Sequence, residues 1–110
     1  MTVQEVIGTL DAEIAVQADL TKSVTHGYTC DLLSEVIAKA LPGSAWATIQ
    51  THLNVVAVAS MVGISVIIVC EGRTCEPDVI ERAVKEQISI LYSRDSAFLV
   101  SGKLYALGLR

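Results

Sequence analysis

Ala45-Trp46-Ala47-Thr48-Ile49 and Ile64-Ser65-Val66-Ile67-Ile68-Val69 are two short, β-rich apolar runs, and between them Asn54 to Val62 places Val55, Val56, Ala59 and Val62 at helical spacing. Strand, helix, strand is the pattern of a βαβ unit whose parallel strands are buried on both faces. Both runs lie in the window Ala40 to Cys70, which contains no Asp, Glu, Lys or Arg. The rest of the chain reads as two charged flanks that cover this centre.

Upstream, Thr2-Val3-Gln4-Glu5 is a capping box, and Val3, Val6, Ile7 and Leu10 share one face, so a first helix covers about Val3 to Leu10. Glu13 to Val16 reads as a brief strand and Ser23 to Thr25 as a second, followed by a bend at His26-Gly27-Tyr28 where Gly27 is expected to take a positive φ. Thr29 or Asp31 is expected to cap the next helix, with Leu32, Leu33, Val36, Ile37 and Ala40 as its buried stripe and Leu41-Pro42-Gly43 as its end. Thr51 is the expected N-cap of the central helix.

Downstream, charge returns in Glu71-Gly72-Arg73-Thr74-Cys75-Glu76. Pro77 suits a first helical position with Asp78 beside it, and Val79, Ile80, Ala83 and Val84 should face inward. Ile88 to Tyr92 is a further strand, and Asp95 or Ser96 caps a last helix carrying Phe98, Leu99, Leu104 and Leu107 before Gly108. Gly102 inside that helix costs about 1 kcal/mol against Ala, which suggests close packing there. Helices alternating with about five strands make an α/β fold, a three-layer α/β/α sandwich with a mainly parallel sheet and right-handed crossovers.

A chain of 110 residues is one domain, and 52% hydrophobic with 18% charged residues describes a folded core. The uncharged window exceeds the ~20 residues that span a bilayer. Pro42-Gly43, the Gln50 to Asn54 cluster and Ser60, Gly63 and Ser65 interrupt it, so no membrane span is expected. No signal peptide is visible, and the expected location is cytoplasmic. Net charge −4 with scattered Lys and Arg argues against nucleic acid as a partner. Cys30, Cys70 and Cys75 contain no C-x-x-C pair and read as small buried or half-buried hydrophobes, and neither a metal site nor a cofactor is expected.

Ligands of open α/β sheets sit off the carboxyl ends of the strands, near a reversal of strand order. Those ends hold Gly27, Tyr28 and Asp31; Gln50, Thr51, His52 and Asn54; Glu71, Gly72 and Arg73; and Ser93, Arg94 and Asp95. Converging, they would make an anion or nucleotide pocket from helix N-termini and two Arg side chains. Each also has a plainer reading as a cap, a turn glycine or a solvated charge. The chain has no G-x-x-x-x-G-K-[ST] loop, G-x-G-x-x-G, G-x-S-x-G or H-E-x-x-H, so no catalytic residue is assigned.

Val24-Thr25-His26-Gly27-Tyr28-Thr29-Cys30-Asp31-Leu32-Leu33-Ser34, the Trp46 to Ala59 segment with Gln50-Thr51-His52-Leu53-Asn54, and the strand end Ile67-Ile68-Val69-Cys70-Glu71-Gly72 resemble the DRTGG domain family over nearly the whole chain, with Leu20 standing where that family has an Arg after Asp19. The resemblance implies an α/β/α domain similar to the N-terminal domain of HPr kinase/phosphorylase, without the kinase domain and its phosphate loop. It further implies a non-catalytic regulatory module, a homodimer, that senses a small anionic metabolite or nucleotide or docks on a partner enzyme. The alternatives are a pure protein-interaction subunit and a small enzyme using Asp31 or His52 as acid/base.

Overall fold

The computed structural model describes residues 1–110. In chain order its elements are α1 (Val3–Leu10), β1 (Glu13–Val16), β2 (His26–Thr29), α2 (Leu33–Lys39), β3 (Ser44–Thr48), α3 (Asn54–Val62), β4 (Val66–Val69), α4 (Pro77–Glu86), β5 (Ser89–Tyr92) and α5 (Ala97–Ala106). One five-stranded sheet runs in the order β1-β5-β4-β3-β2, parallel from β2 to β5, with β1 antiparallel at the β5 edge. Trp46 pairs with Ile67 and Thr48 with Val69, so the central runs are adjacent parallel strands bridged by α3.

Each parallel strand is added on the same side of the one before it, and right-handed crossovers therefore place α2, α3 and α4 on a single face. Helices α1 and α5 cover the other. Side-chain alternation divides the core accordingly: Ala45, Ala47, Val66, Ile68 and Leu91 meet Val3, Val6, Val100 and Leu104, whereas Trp46, Ile67, Val69 and Ile90 meet Val36, Val55, Val56 and Val79. Small Ala45 and Ala47 let α5 lie close over β3, and the Trp46 ring fills the opposite layer. Buried Trp46 keeps its indole N–H satisfied by donating to the Cys30 carbonyl at 2.8 Å. No helix is long and apolar enough to cross a membrane.

Several local expectations are corrected. The second strand is His26–Thr29 rather than Ser23–Thr25; Ser23 instead forms an isolated bridge with Thr2, and Val24 donates its N–H to the Met1 carbonyl. Gly27 therefore lies in the strand without a positive φ, and an added Cβ would meet Leu109 at an ordinary 3.6 Å. Neither Thr29 nor Asp31 caps α2, whose N-cap is Leu32, because the Asp31 carboxylate is engaged by β3. The α2 stripe is narrow: Val36 is buried while Leu32 and Ile37 are exposed. Val84 on α4, and Phe98 and Leu99 on α5, also face solvent, since Val79 and Ala83, and Val100 and Leu104, already fill the inward positions. Gly102 has no neighbour within 4 Å of a Cβ, so close packing does not explain it.

Candidate functional site

Because β2 to β5 are parallel and β1 is antiparallel, one rim collects the carboxyl ends of four strands and the amino end of the fifth. Strand order does not reverse among the parallel strands; the discontinuity in the rim is the β5–β1 junction.

At the β2 and β3 ends the polar residues are occupied locally. The Asp31 carboxylate accepts from the Thr48 hydroxyl and the Ile49 amide, each at 2.9 Å, which ties the two loops together. The Gln50 amide donates to the Thr48 hydroxyl at 3.0 Å, and the Gln50 side-chain carbonyl accepts from the His52 amide at 3.3 Å. Imidazole Nδ1 of His52 accepts the Asn54 amide at 3.1 Å, so the ring proton sits on Nε2. The loop thus runs beyond Thr51, and the N-cap position falls on Leu53, with the His52 ring satisfying the first helical N–H.

At the β4 and β5 ends two turns are joined by backbone bonds. Glu71 (φ 65°) and Gly72 (φ 69°) take consecutive left-handed conformations, which aims the Glu71 amide at the Asp95 carbonyl (2.9 Å) and the Gly72 amide at the Ser93 carbonyl (3.0 Å). The Ser93 amide returns a bond to Val69 at 2.9 Å, and the Ser93 hydroxyl accepts from Asp95 at 3.1 Å. Arg73 and Arg94, one on each turn, are thereby held over a common cleft of about 680 Å³.

Gly72, Thr74, Tyr92 and Ser93 line the cleft between β4 and β5, Leu10, Asp11 and Glu13 form the wall beside β1, and Asp95 with Lys103 closes the α5 side. Lys103 Nζ lies 2.7 Å from Asp95, whereas Arg73, Arg94, Asp11 and Glu13 belong to no ion pair. The cleft is therefore bipolar. Two free guanidinium groups offer planar donor pairs to phosphate or carboxylate, and two free carboxylates accept from hydroxyl or amine groups. The Tyr92 hydroxyl accepts the Cys75 amide at 2.9 Å, and burial pushes both the Tyr92 phenol and the Cys75 thiol above their ordinary pKa values. No three His, Cys, Asp or Glu side chains converge at metal-binding distance.

Of the thirteen strand-end residues singled out from sequence, Gly72, Arg73, Ser93, Arg94 and Asp95 line this cleft and Glu71 belongs to its turn. Asp31, Gln50, Thr51, His52 and Asn54 occupy the adjoining strand ends outside it. Gly27 and Tyr28 line a separate groove of about 290 Å³ between β2 and α5, at the far edge of the sheet from β1. Two strand steps separate β2 from β4, roughly 10 Å at the usual strand spacing. Asp11, Glu13 and Lys103 were not legible in advance. Glu13 reaches the rim only because β1 pairs antiparallel with β5, a long-range contact without a local sequence signal.

No protein-family model matches the chain, and no curated relative matches it. Among solved structures, it is similar to the CBS and DRTGG domains of the regulatory region of a Clostridium perfringens pyrophosphatase, crystallised with its activator diadenosine tetraphosphate. The TM-score is 0.72 at 18% identity, and the likeness covers 94% of this chain and 45% of that one. What the two share is the fold.

Proposed function

We propose that residues 1–110 form a DRTGG-like, non-catalytic regulatory domain that works in the cytoplasm and binds a nucleotide or similar small phosphorylated anion in the β4–β5–β1 cleft. The observation that carries this reading is the pairing of Arg73 and Arg94, neither neutralised by a carboxylate, on two turns locked together by backbone bonds. The locked turns fix where the two side chains start, so only side-chain freedom is lost on meeting an anion. Asp11 and Glu13 across the cleft suit the hydroxyl or amino groups of a nucleoside, and Tyr92 supplies a ring surface. The Asp31, Gln50, Thr51, His52 and Asn54 loops flank this site and are within reach only of a ligand longer than the cleft. A nucleotide activator bound to the regulatory region of the pyrophosphatase supports the ligand class. The domain acts as a homodimer, passing its ligand state to a partner enzyme.

Calorimetric titration with pyrophosphate, AMP, ATP and diadenosine tetraphosphate tests the reading. At least one should bind and raise the melting temperature by mass action, and Arg73→Gln with Arg94→Gln should remove the effect. Absence of binding by all four, or binding indifferent to both arginines, would count against it.

A further inference from the structure

The two edges of the sheet are protected very differently. Strand β1 carries exposed Glu13 and a register irregularity between Ile14 and Val16, both of which discourage a further strand from pairing. Strand β2, His26-Gly27-Tyr28-Thr29, has no Lys, Arg, Asp or Glu, no proline and no bulge. The His26 and Cys30 amides point to β3, where they donate to the Gly43 and Ala47 carbonyls. By the two-residue alternation of a strand, the N–H and C=O groups of Gly27 and Thr29 point outward, away from the sheet.

Helices on both faces of this edge leave apolar side chains uncovered. On α5, Ser101 meets Thr29 through their hydroxyls at 2.6 Å, which fixes the side of the helix that faces β2. Phe98 and Tyr105, three residues before and four after Ser101, share that side and are 85% and 61% exposed. On the opposite face, Leu32 and Ile37 of the β2–α2 segment are exposed as well.

The geometry points to β2 as the seam of a homodimer, with β2 of a second copy pairing antiparallel across a twofold axis at Tyr28 to make a continuous ten-stranded sheet. The inference rests on the dimeric part of the reading above and is independent of its ligand. Self-pairing is favoured because the register closes on itself. Gly27 faces Thr29 of the second copy and exchanges both backbone bonds with it, Tyr28 faces its own counterpart, and the symmetry repeats the exchange at the other Thr29. The strand itself carries no Lys, Arg, Asp or Glu; the charge at this edge is Arg110, whose carbonyl lies 3.2 Å from His26 Nδ1 and whose guanidinium sits 4.0 Å over the Tyr105 ring. Phe98 and Tyr105 of the two α5 helices would then approach over the seam and lose their exposure to water.

Light scattering on the full chain and on Thr29→Pro, with oxidative cross-linking of two cysteine variants, decides the matter. Wild type should have twice the 11.7 kDa chain mass, and Thr29→Pro, which deletes an outward N–H and no β3 bond, should have the single mass with an unchanged circular dichroism spectrum. Tyr28→Cys in a Cys30→Ser background should form a covalent dimer on oxidation, and Ile14→Cys at the other edge should not. A wild-type monomer would overturn the seam and the dimer together while leaving the ligand reading intact. A dimer that persists in folded Thr29→Pro, or that yields no Tyr28→Cys cross-link, would overturn the seam alone. Should Thr29→Pro fail to fold, the cross-link decides.

Discussion

The Asp31 carboxylate accepts the hydroxyl proton of Thr48 at 2.9 Å, and Thr48 is fully buried at the end of β3. With the Ile49 amide on the same oxygen, one side chain locks the end of β2 to the end of β3. Replacing Asp31 by Ala leaves a buried hydroxyl without its acceptor, and an amide that water can reach, and a bond to a charged group is worth about 1.5–3 kcal/mol. Asp31→Ala is therefore expected to lower unfolding free energy by about 2–3 kcal/mol, and Asp31→Asn, which keeps a carbonyl acceptor, by clearly less. Urea titration followed by Trp46 fluorescence measures both, Trp46 being the sole tryptophan and wholly buried.

How far the sequence carried this picture depends on whether a feature is local. The βαβ centre was legible because Trp46, Ile67 and their neighbours are apolar on both faces of a parallel sheet, so burial leaves its mark on every residue. Helix caps were less so: Thr51 and Asp31 have the right chemistry, but a loop one or two residues longer gave the roles to His52 and to a tertiary partner. On the rim, the rule of strand ends led to Gly72 and Arg73 in the cleft, while Asp11, Glu13 and Lys103 arrive there through the Ile14–Leu91 pairing and the packing of α5. Nothing near those residues in the chain announces that contact.

Cys70, one residue past the end of β4, is fully buried, and burial pushes its thiol up from 9.0 to about 11. A raised folded-state pKa means the native protein holds the proton more tightly than the unfolded chain. The associated stability is complete below the unfolded thiol pKa and is lost as pH climbs from about 9 through 11. Cys75 and Tyr92, raised by the same cause, act in the same direction. Urea midpoints should hold from pH 7 to 8 and fall between 9 and 11, with a shallower fall in Cys70→Ala once corrected for its lower starting stability. At neutral pH, Cys70 should resist a thiol reagent until urea unfolds the chain.

Helix α4 ends at Gln87 in the left-handed conformation, φ 58°, with its amide on the Ala83 and Val84 carbonyls. This is the terminus at which glycine escapes a clash between Cβ and the backbone. Glycine relieves roughly 1–2 kcal/mol of strain there and returns about half of it as extra freedom of the unfolded chain. Gln87→Gly should raise unfolding free energy by about 0.5–1 kcal/mol, which a urea midpoint displays without change in slope. A loss of stability would mean that the Gln87 side chain makes a contribution larger than the strain.

Gly72 and Gly102 both have open space where a Cβ would be, yet substitution by Ala should move stability in opposite directions. Gly72 has a φ of +69° in the turn whose amide reaches the Ser93 carbonyl, and Ala resists that conformation by about 1–2 kcal/mol although nothing obstructs its methyl group. Gly102 is in the interior of α5 at helical angles, where glycine is about 1 kcal/mol worse than Ala and the added methyl meets no neighbour. Gly72→Ala should therefore lower the melting temperature and Gly102→Ala should raise it. The ligand reading adds a second readout for the first variant: loosening the turn that carries Arg73 should weaken nucleotide binding more than the stability loss alone explains. Gly102→Ala keeps the helical angles of α5 and leaves the neighbouring Lys103 in place, so it should bind as wild type. Equal shifts of the same sign would show that space, rather than backbone angle, governs both positions.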